Sequence, residues 1–377
     1  KDPFLALLKS SLQTFLNAFT FPDKTVYPAS SMLEKDFFNL LLVCGDAVFF
    51  PLLREEVFRQ EGHRLELSRD GLRRVGVVYN EMKGVFSSAE AIVADLSMRS
   101  LFPDVPYGFE SGGEPRCIPS LTYEAFVEFH RRHYHPGNCR LFLYGNAPTA
   151  KTLRFLQEQF LDSFGPPPAE VPDAPRQPRW SAPRRREATY PLLPEAGGGR
   201  RSSVTLNWLT VPVTDPLAVL AMEVIAEVLV GNVGSPLHKA LLESQLGEDL
   251  SPATGLDTEL AELTFTVGLR GTEPEKAARI EQLALDTLAE LGGKGIPADQ
   301  LQSALHRVEF RRREIQRGGQ PFSLTLMRRS LRGWLHGGKP QLTLEFKPWM
   351  EALKTVSYTH LRAHETPEHL VCRLLLE

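Results

Sequence analysis

Between Gly165 and Gly199 the chain changes character, and no other stretch limits its architecture as strongly. The run opens on Pro166-Pro167-Pro168, carries Arg184-Arg185-Arg186 and closes on Gly197-Gly198-Gly199. Proline removes backbone donors and glycine adds conformational freedom, so such a run cannot bury a core of its own. It reads as a linker, 166–199, between an N-terminal domain, 1–165, and a second domain, 200–355. The length of 377 residues agrees, because it exceeds one ordinary core. The three arginines are read as solvated.

Within each half, strand and helix patterns do not alternate strictly. An apolar helical pattern runs through Phe4, Leu5, Leu8, Leu12 and Phe15. Leu16–Phe21 and Thr25–Tyr27 then read as strands about a Pro22-Asp23-Lys24 turn. Helices are expected over 34–50, 76–86, 88–101 and 123–133, and strands at 64–67 and 140–144. The second half reads as strand 203–210, helices 217–230 and from Ser235, a half-buried strand 263–269, and helices 273–291, 297–317 and 323–335. Short turns between early strands favour α+β layers over a doubly wound parallel sheet.

Composition excludes several function classes. A net charge of -3 offers neither a nucleic-acid surface nor an acidic tail, and the consecutive Arg311, Arg312 and Arg313 read as an exposed helix end. Cys44, Cys117, Cys139 and Cys372 lack CxxC spacing, against a zinc knuckle or disulfide framework. No apolar run reaches the roughly 20 residues of a membrane span.

Glu81 is the chemically awkward residue. At helical spacing, Val77, Val78, Gly84 and Val85 fall within about 60° of it, which places its carboxylate in the middle of an apolar stripe expected to be buried. An ionised carboxylate there needs a partner. An ion pair with an arginine, a position at the stripe's wet edge and a metal ligand all satisfy that need.

Other constellations are weaker. His130, His133 and His135 cluster at a helix end without a carboxylate or cysteine at ligand spacing, where imidazoles suit the helix dipole. Ser111-Gly112-Gly113 lacks the lysine of a phosphate loop and reads as a turn. His364-Glu365-Thr366-Pro367-Glu368-His369 fits neither HExxH nor HxxEH, and Pro367 would break the helix that either needs. From Val356 to Glu377 the pattern changes again and resembles translated adapter read-through, a non-native tail expected neither to fold nor to function.

Together, Lys1-Asp2-Pro3-Phe4, Leu16-Asn17-Ala18-Phe19-Thr20, Tyr27-Pro28, Gly76-Val77-Val78 with Asn80-Glu81-Met82-Lys83-Gly84, Ser111-Gly112-Gly113, Tyr134-His135-Pro136, Asn207-Trp208-Leu209 and Ser235-Pro236-Leu237 resemble the presequence-protease branch of the insulinase/pitrilysin peptidases. The resemblance implies two insulinase-type domains, each a mainly antiparallel sheet packed with helices. It also implies a zinc endopeptidase whose metal is held by the two histidines of an HxxEH helix and by a later glutamate, which Glu81 matches. Three protein ligands leave zinc an open position for a water of lowered pKa, and the HxxEH glutamate takes its proton. HxxEH is absent from these 377 residues. The chain is therefore expected to be a truncated first half, inactive alone, whose partner is the missing second half of a closing chamber. Asn17, Ala18 and Phe19 are implied as the edge strand that receives an unstructured peptide substrate. A non-catalytic partner or scaffold of the same fold is the alternative, and a bacterial cytoplasm or organelle matrix is the expected compartment.

Overall fold

A computed structural model describes residues 11–69, 71–167, 174–191, 201–315 and 320–363. Its elements run β1 (Gln13–Leu16), β2 (Phe19–Thr20), β3 (Thr25–Val26), β4 (Ala29–Ser31), α1 (Glu34–Phe49), α2 (Glu55–Glu61), β5 (Arg64–Ser68), β6 (Gly71–Val75), α3 (Val77–Val85) and α4 (Ala89–Leu101). They continue with α5 (Tyr123–His133), α6 (Thr149–Gln159), β7 (Ser202–Pro212), α7 (Pro216–Val230), α8 (Pro236–Glu243), β8 (Asp249–Leu250), β9 (Gly255–Asp257) and β10 (Glu262–Thr272). The described residues close on α9 (Ala277–Lys294), α10 (Ala298–Arg313), α11 (Phe322–Trp334) and α12 (Lys347–Ala363). Every strand pairing among the described residues is antiparallel, so the fold is α+β as expected. No described helix is long and apolar enough to cross a membrane.

Contacts divide the chain into two units that interleave along the sequence. The first takes 1–87, 109–173 and 317–327, and the second takes 88–108, 174–316 and 328–377.

The first unit is built from three two-stranded sheets, β1 with β4, β2 with β3 and β5 with β6, plus helices joined by aromatic contacts. Phe38 on α1 meets Phe155 on α6 at 5.2 Å between ring centroids, and Phe49 meets Phe160 and Phe164 at 6.1 and 5.6 Å. Phe160 lies so close to α1 that a Cβ on Gly45 would fall 2.3 Å from its ring. The turn and the strands beside it form, with Phe19 opposite Val26, but the strand expected over Leu16–Phe21 is broken at Asn17 and Ala18, Leu16 pairing with Ala29 in β1. Two further expectations fail. Phe15 belongs to a strand, not to a first helix, because it pairs with Ser30 across the sheet; residues 1–10 lie outside the described residues. Arg140–Tyr144 is not a strand, since no strand pairing includes it among the described residues, and Leu141 and Tyr144 are exposed.

The second unit holds both clusters of buried apolar side chains found among the described residues. α7 is apolar nearly all round and lies within the larger of them, as a helix without a polar face must. Its start is encoded locally: the Asp215 carboxylate accepts from the Ala218 N–H at 3.0 Å, and Pro216 occupies the first helical turn. Leu263, Phe265, Val267 and Leu269 of β10 join that core, with Phe265 opposite Trp208 and Val267 opposite Leu206 on β7. β10 was expected to be half-buried and is buried on both faces. The reason is α4, whose Ser97 hydroxyl hydrogen-bonds that of Thr205 at 3.2 Å on the far side of the sheet, where Thr266 donates to Asn207 Oδ1 at 2.9 Å.

Residues 174–191, within the stretch read as a linker, are tied to this unit. The Gln177 side chain is buried and exchanges hydrogen bonds with Asp104, and Arg179 reaches Glu262 Oε1 at 2.8 Å and the Thr210 carbonyl at 2.7 Å. Ala174 packs on the smaller apolar cluster, and polar groups fasten the rest of the strap. Arg185 pairs with Glu281 at 2.6 Å and Arg184 stacks on Trp180 at 3.7 Å, so these arginines are engaged although exposed. The backbone continues helically past Val356 to Ala363, and His364–His369 lie outside the described residues.

Candidate functional site

α3 carries Glu81, and its entry and seat are set by glycines. Gly76, just before the helix, is so close to the preceding turn that a Cβ would sit 2.0 Å from the Gly62 carbonyl oxygen. On the helix, Met82 is the buried residue, at 6% exposure. It packs on the 111–113 turn, where a Cβ on Gly112 would fall 2.3 Å from the Met82 sulfur. Gly113 takes φ +91° and its N–H donates to the Glu110 carbonyl at 3.0 Å, so the turn's glycines serve the close approach of α3.

The stripe around Glu81 is not buried. Val77, Val78 and Val85 are 53%, 37% and 41% exposed, and Glu81 is exposed among them. The helical angles hold, but the buried direction lies about 100° round, at Met82. No hydrogen bond or ion pair engages the Glu81 carboxylate among the described residues. An arginine partner, one of the three readings of this residue, is thus not found there.

Nor do the described residues gather three His, Cys, Asp or Glu side chains capable of holding a metal ion. Each clustered histidine has another occupation. His130 Nε2 lies 2.9 Å from the Val48 carbonyl and its ring stacks on Tyr134. His133 packs on Phe129, and burial, then the Arg132 charge, lowers its pKa. His135 Nδ1 accepts from the Gly137 N–H at 3.0 Å.

Asn17 and Ala18 lie in the break between β1 and β2, both exposed, and Phe19 opens β2. The Asn17 N–H donates to the Pro28 carbonyl at 3.1 Å, and the Ala18 N–H donates to Asn17 Oδ1 at 2.8 Å. Among the described residues, no hydrogen bond or ion pair joins these residues to Glu81. Met82 and Gly112 escaped the sequence reading as a functional pair. The signal was present in the two motifs, but nothing in them shows that one seats the other.

Residues 120–308 match the family model described as the peptidase M16 inactive domain. The chain is 39% identical over 363 residues to presequence protease 1, chloroplastic/mitochondrial, of Arabidopsis thaliana, covering 94% of this chain and 33% of that protein. It is 38% identical over 359 residues to protein HypA of Clostridium perfringens, covering 94% and 37%. It thus spans about a third of the length of these curated relatives. Among solved structures, a peptidase M16 inactive domain from Pseudomonas fluorescens shares the fold with a TM-score of 0.61 at 17% identity, covering 92% of this chain and 77% of that one. Pitrilysin does so with a TM-score of 0.59 at 17% identity, covering 97% and 37%. With a family model matching half its length and presequence proteases aligned along most of it, the chain belongs to the M16, or insulinase/pitrilysin, peptidase family, in its presequence-protease-like branch.

Proposed function

We propose that this chain is part of a zinc-dependent endopeptidase acting on short unstructured peptides, that Glu81 is the metal ligand it contributes, and that it is inactive alone. The observation that carries the reading is the exposed, unpaired Glu81 carboxylate at the centre of three exposed valines on α3. Apolar side chains around one carboxylate make a face to be covered by other residues and a charge to be met there. The described residues do not themselves fit a zinc ion, which takes three or four protein ligands where they bring no three candidate side chains together.

What this chain's own residues do is positional. The Met82–Gly112 contact fixes the rotation of α3 and so the direction of Glu81. β1 pairs with β4 alone among the described residues, which leaves it an edge where an extended peptide can add as a strand near Asn17, Ala18 and Phe19. The domain division at 166–199, a second half completing a chamber, and a bacterial cytoplasm or organelle matrix as compartment belong to the same proposal.

The non-catalytic alternative is favoured by one observation, the description of the matching model as an inactive domain. One experiment separates the two. In the protein extended to its upstream reading frame, an HxxEH segment, zinc retention and loss of that zinc in Glu81→Gln are expected. An upstream frame without HxxEH, or zinc content unchanged in Glu81→Gln, would leave the scaffold reading.

A further inference from the structure

In the second unit, α7, α10, α11 and α12 border a partly open cavity of about 20 Å³. Arg312, Arg329, Arg332, Glu345, Phe346 and Trp349 are among its walls. That volume admits one or two water-sized groups. Two of the arginines are answered. Arg312 Nε lies 3.1 Å from Glu223 Oε2, and Arg332 lies 2.8 Å from Glu259, which also takes Arg328 at 3.1 Å.

Arg329 differs. Its side chain is half-buried, and no carboxylate or carbonyl bonds it among the described residues. Burial first, then the Arg312 charge, pushes its pKa down to about 10, against the opposing pull of Glu223. A second, independent observation lies in the same wall: the Trp349 indole N–H is buried with no acceptor among the described residues. Buried donors are nearly always satisfied, so an orphan donor in a residue that lines the same cavity as an unpaired guanidinium marks a missing acceptor. Charge sets its kind. Arg312, Arg328 and Arg332 pair with Glu223 and Glu259, and with Arg329 and Glu345 of the lining added, four cations stand against three carboxylates. A planar guanidinium matches a carboxylate's two oxygens.

We propose that this cavity binds a small carboxylate, with the Arg329 guanidinium as its charged donor and the Trp349 indole N–H as its second. The site is independent of Glu81 and of any peptidase activity, and its test reads binding alone.

The test is a titration of the full chain with sodium acetate, followed by the indole N–H resonances of its four tryptophans, with sodium chloride at equal ionic strength as reference. Trp349→Phe assigns the Trp349 signal. Saturable movement of that signal alone is expected at about millimolar acetate, weakened at least about tenfold in Arg329→Gln. If Arg329→Gln does not fold, Arg329→Lys keeps the charge, loses the fork and should weaken binding several-fold. Movement equal in acetate and chloride, no movement at all, undiminished binding in the folded variants, or binding of sodium phosphate in place of acetate would each overturn the proposal.

Discussion

Glu227 sits on the most apolar helix of the chain, buried, with Arg307 Nε and Arg311 Nη2 each 2.6 Å from its carboxylate. Both arginines are about half-exposed, so each retains much of its hydration and contributes less than a fully buried partner would. Either one suffices to neutralise Glu227. Arg307→Ala or Arg311→Ala alone should therefore cost about 1 kcal/mol, and the double variant about 3 kcal/mol, because only then is a buried charge left unpaired. Urea denaturation of the single and double variants measures the coupling. The sequence correctly showed that Arg311, Arg312 and Arg313 cannot share a helix face. It could not show that those faces meet Glu227, Glu223 and Glu309, so the helix end, exposed at Arg311 and Arg313 as expected, is also ion-paired. Glu81 errs the other way: its neighbours on the wheel were legible, but whether anything covers them was not.

Among the elements, α3 depends on a glycine outside it. Gly112→Ala places a methyl against the Met82 sulfur, and Met82 must turn away or the helix must shift. A cost of about 1–3 kcal/mol is expected, with faster amide exchange confined to α3 and the 111–113 turn. Exchange unchanged in α3 would show that Met82 does not seat it. A second contact joins the ends of β3 and α5, where the hydroxyls of Tyr27 and Tyr134 lie 3.0 Å apart. Burial first, then the hydrogen bond to Tyr134, raises the Tyr27 phenol above its ordinary range. A raised folded-state pKa means that the folded state holds the proton more tightly. The stability this contributes is complete below the unfolded value of about 10 and is lost as pH climbs beyond it. Absorbance at 295 nm should show one tyrosine titrating late, and Tyr134→Phe should bring that titration earlier without removing the part due to burial.

Across the whole molecule, stability is distributed unevenly. Both buried apolar clusters lie in the second unit, whereas the first rests on two-stranded sheets whose Leu65, Leu67 and Leu72 are exposed. Two-stranded sheets are marginal without a covering face, so opening of the first unit costs less than opening of the second. Hydrogen exchange should find the slowest amides in β7, β10 and α7, with β5 and β6 exchanging far sooner. Equal protection in the two sets would contradict this ordering. The sequence by itself determined features whose causes lie within a few residues. Asp215-Pro216 starts α7, Thr122 caps α5 through the Ala125 N–H, and the Pro22-Asp23-Lys24 turn pairs its flanking strands. The family motifs are equally local. Only the tertiary structure decided what covers each face: Met82 and not Glu81 turned inward, α4 laid on the far side of β10, and the Gln177 strap fastened to Asp104. Those outcomes join residues tens to more than a hundred positions apart, and helical or strand periodicity specifies a face without specifying what, if anything, is packed against it.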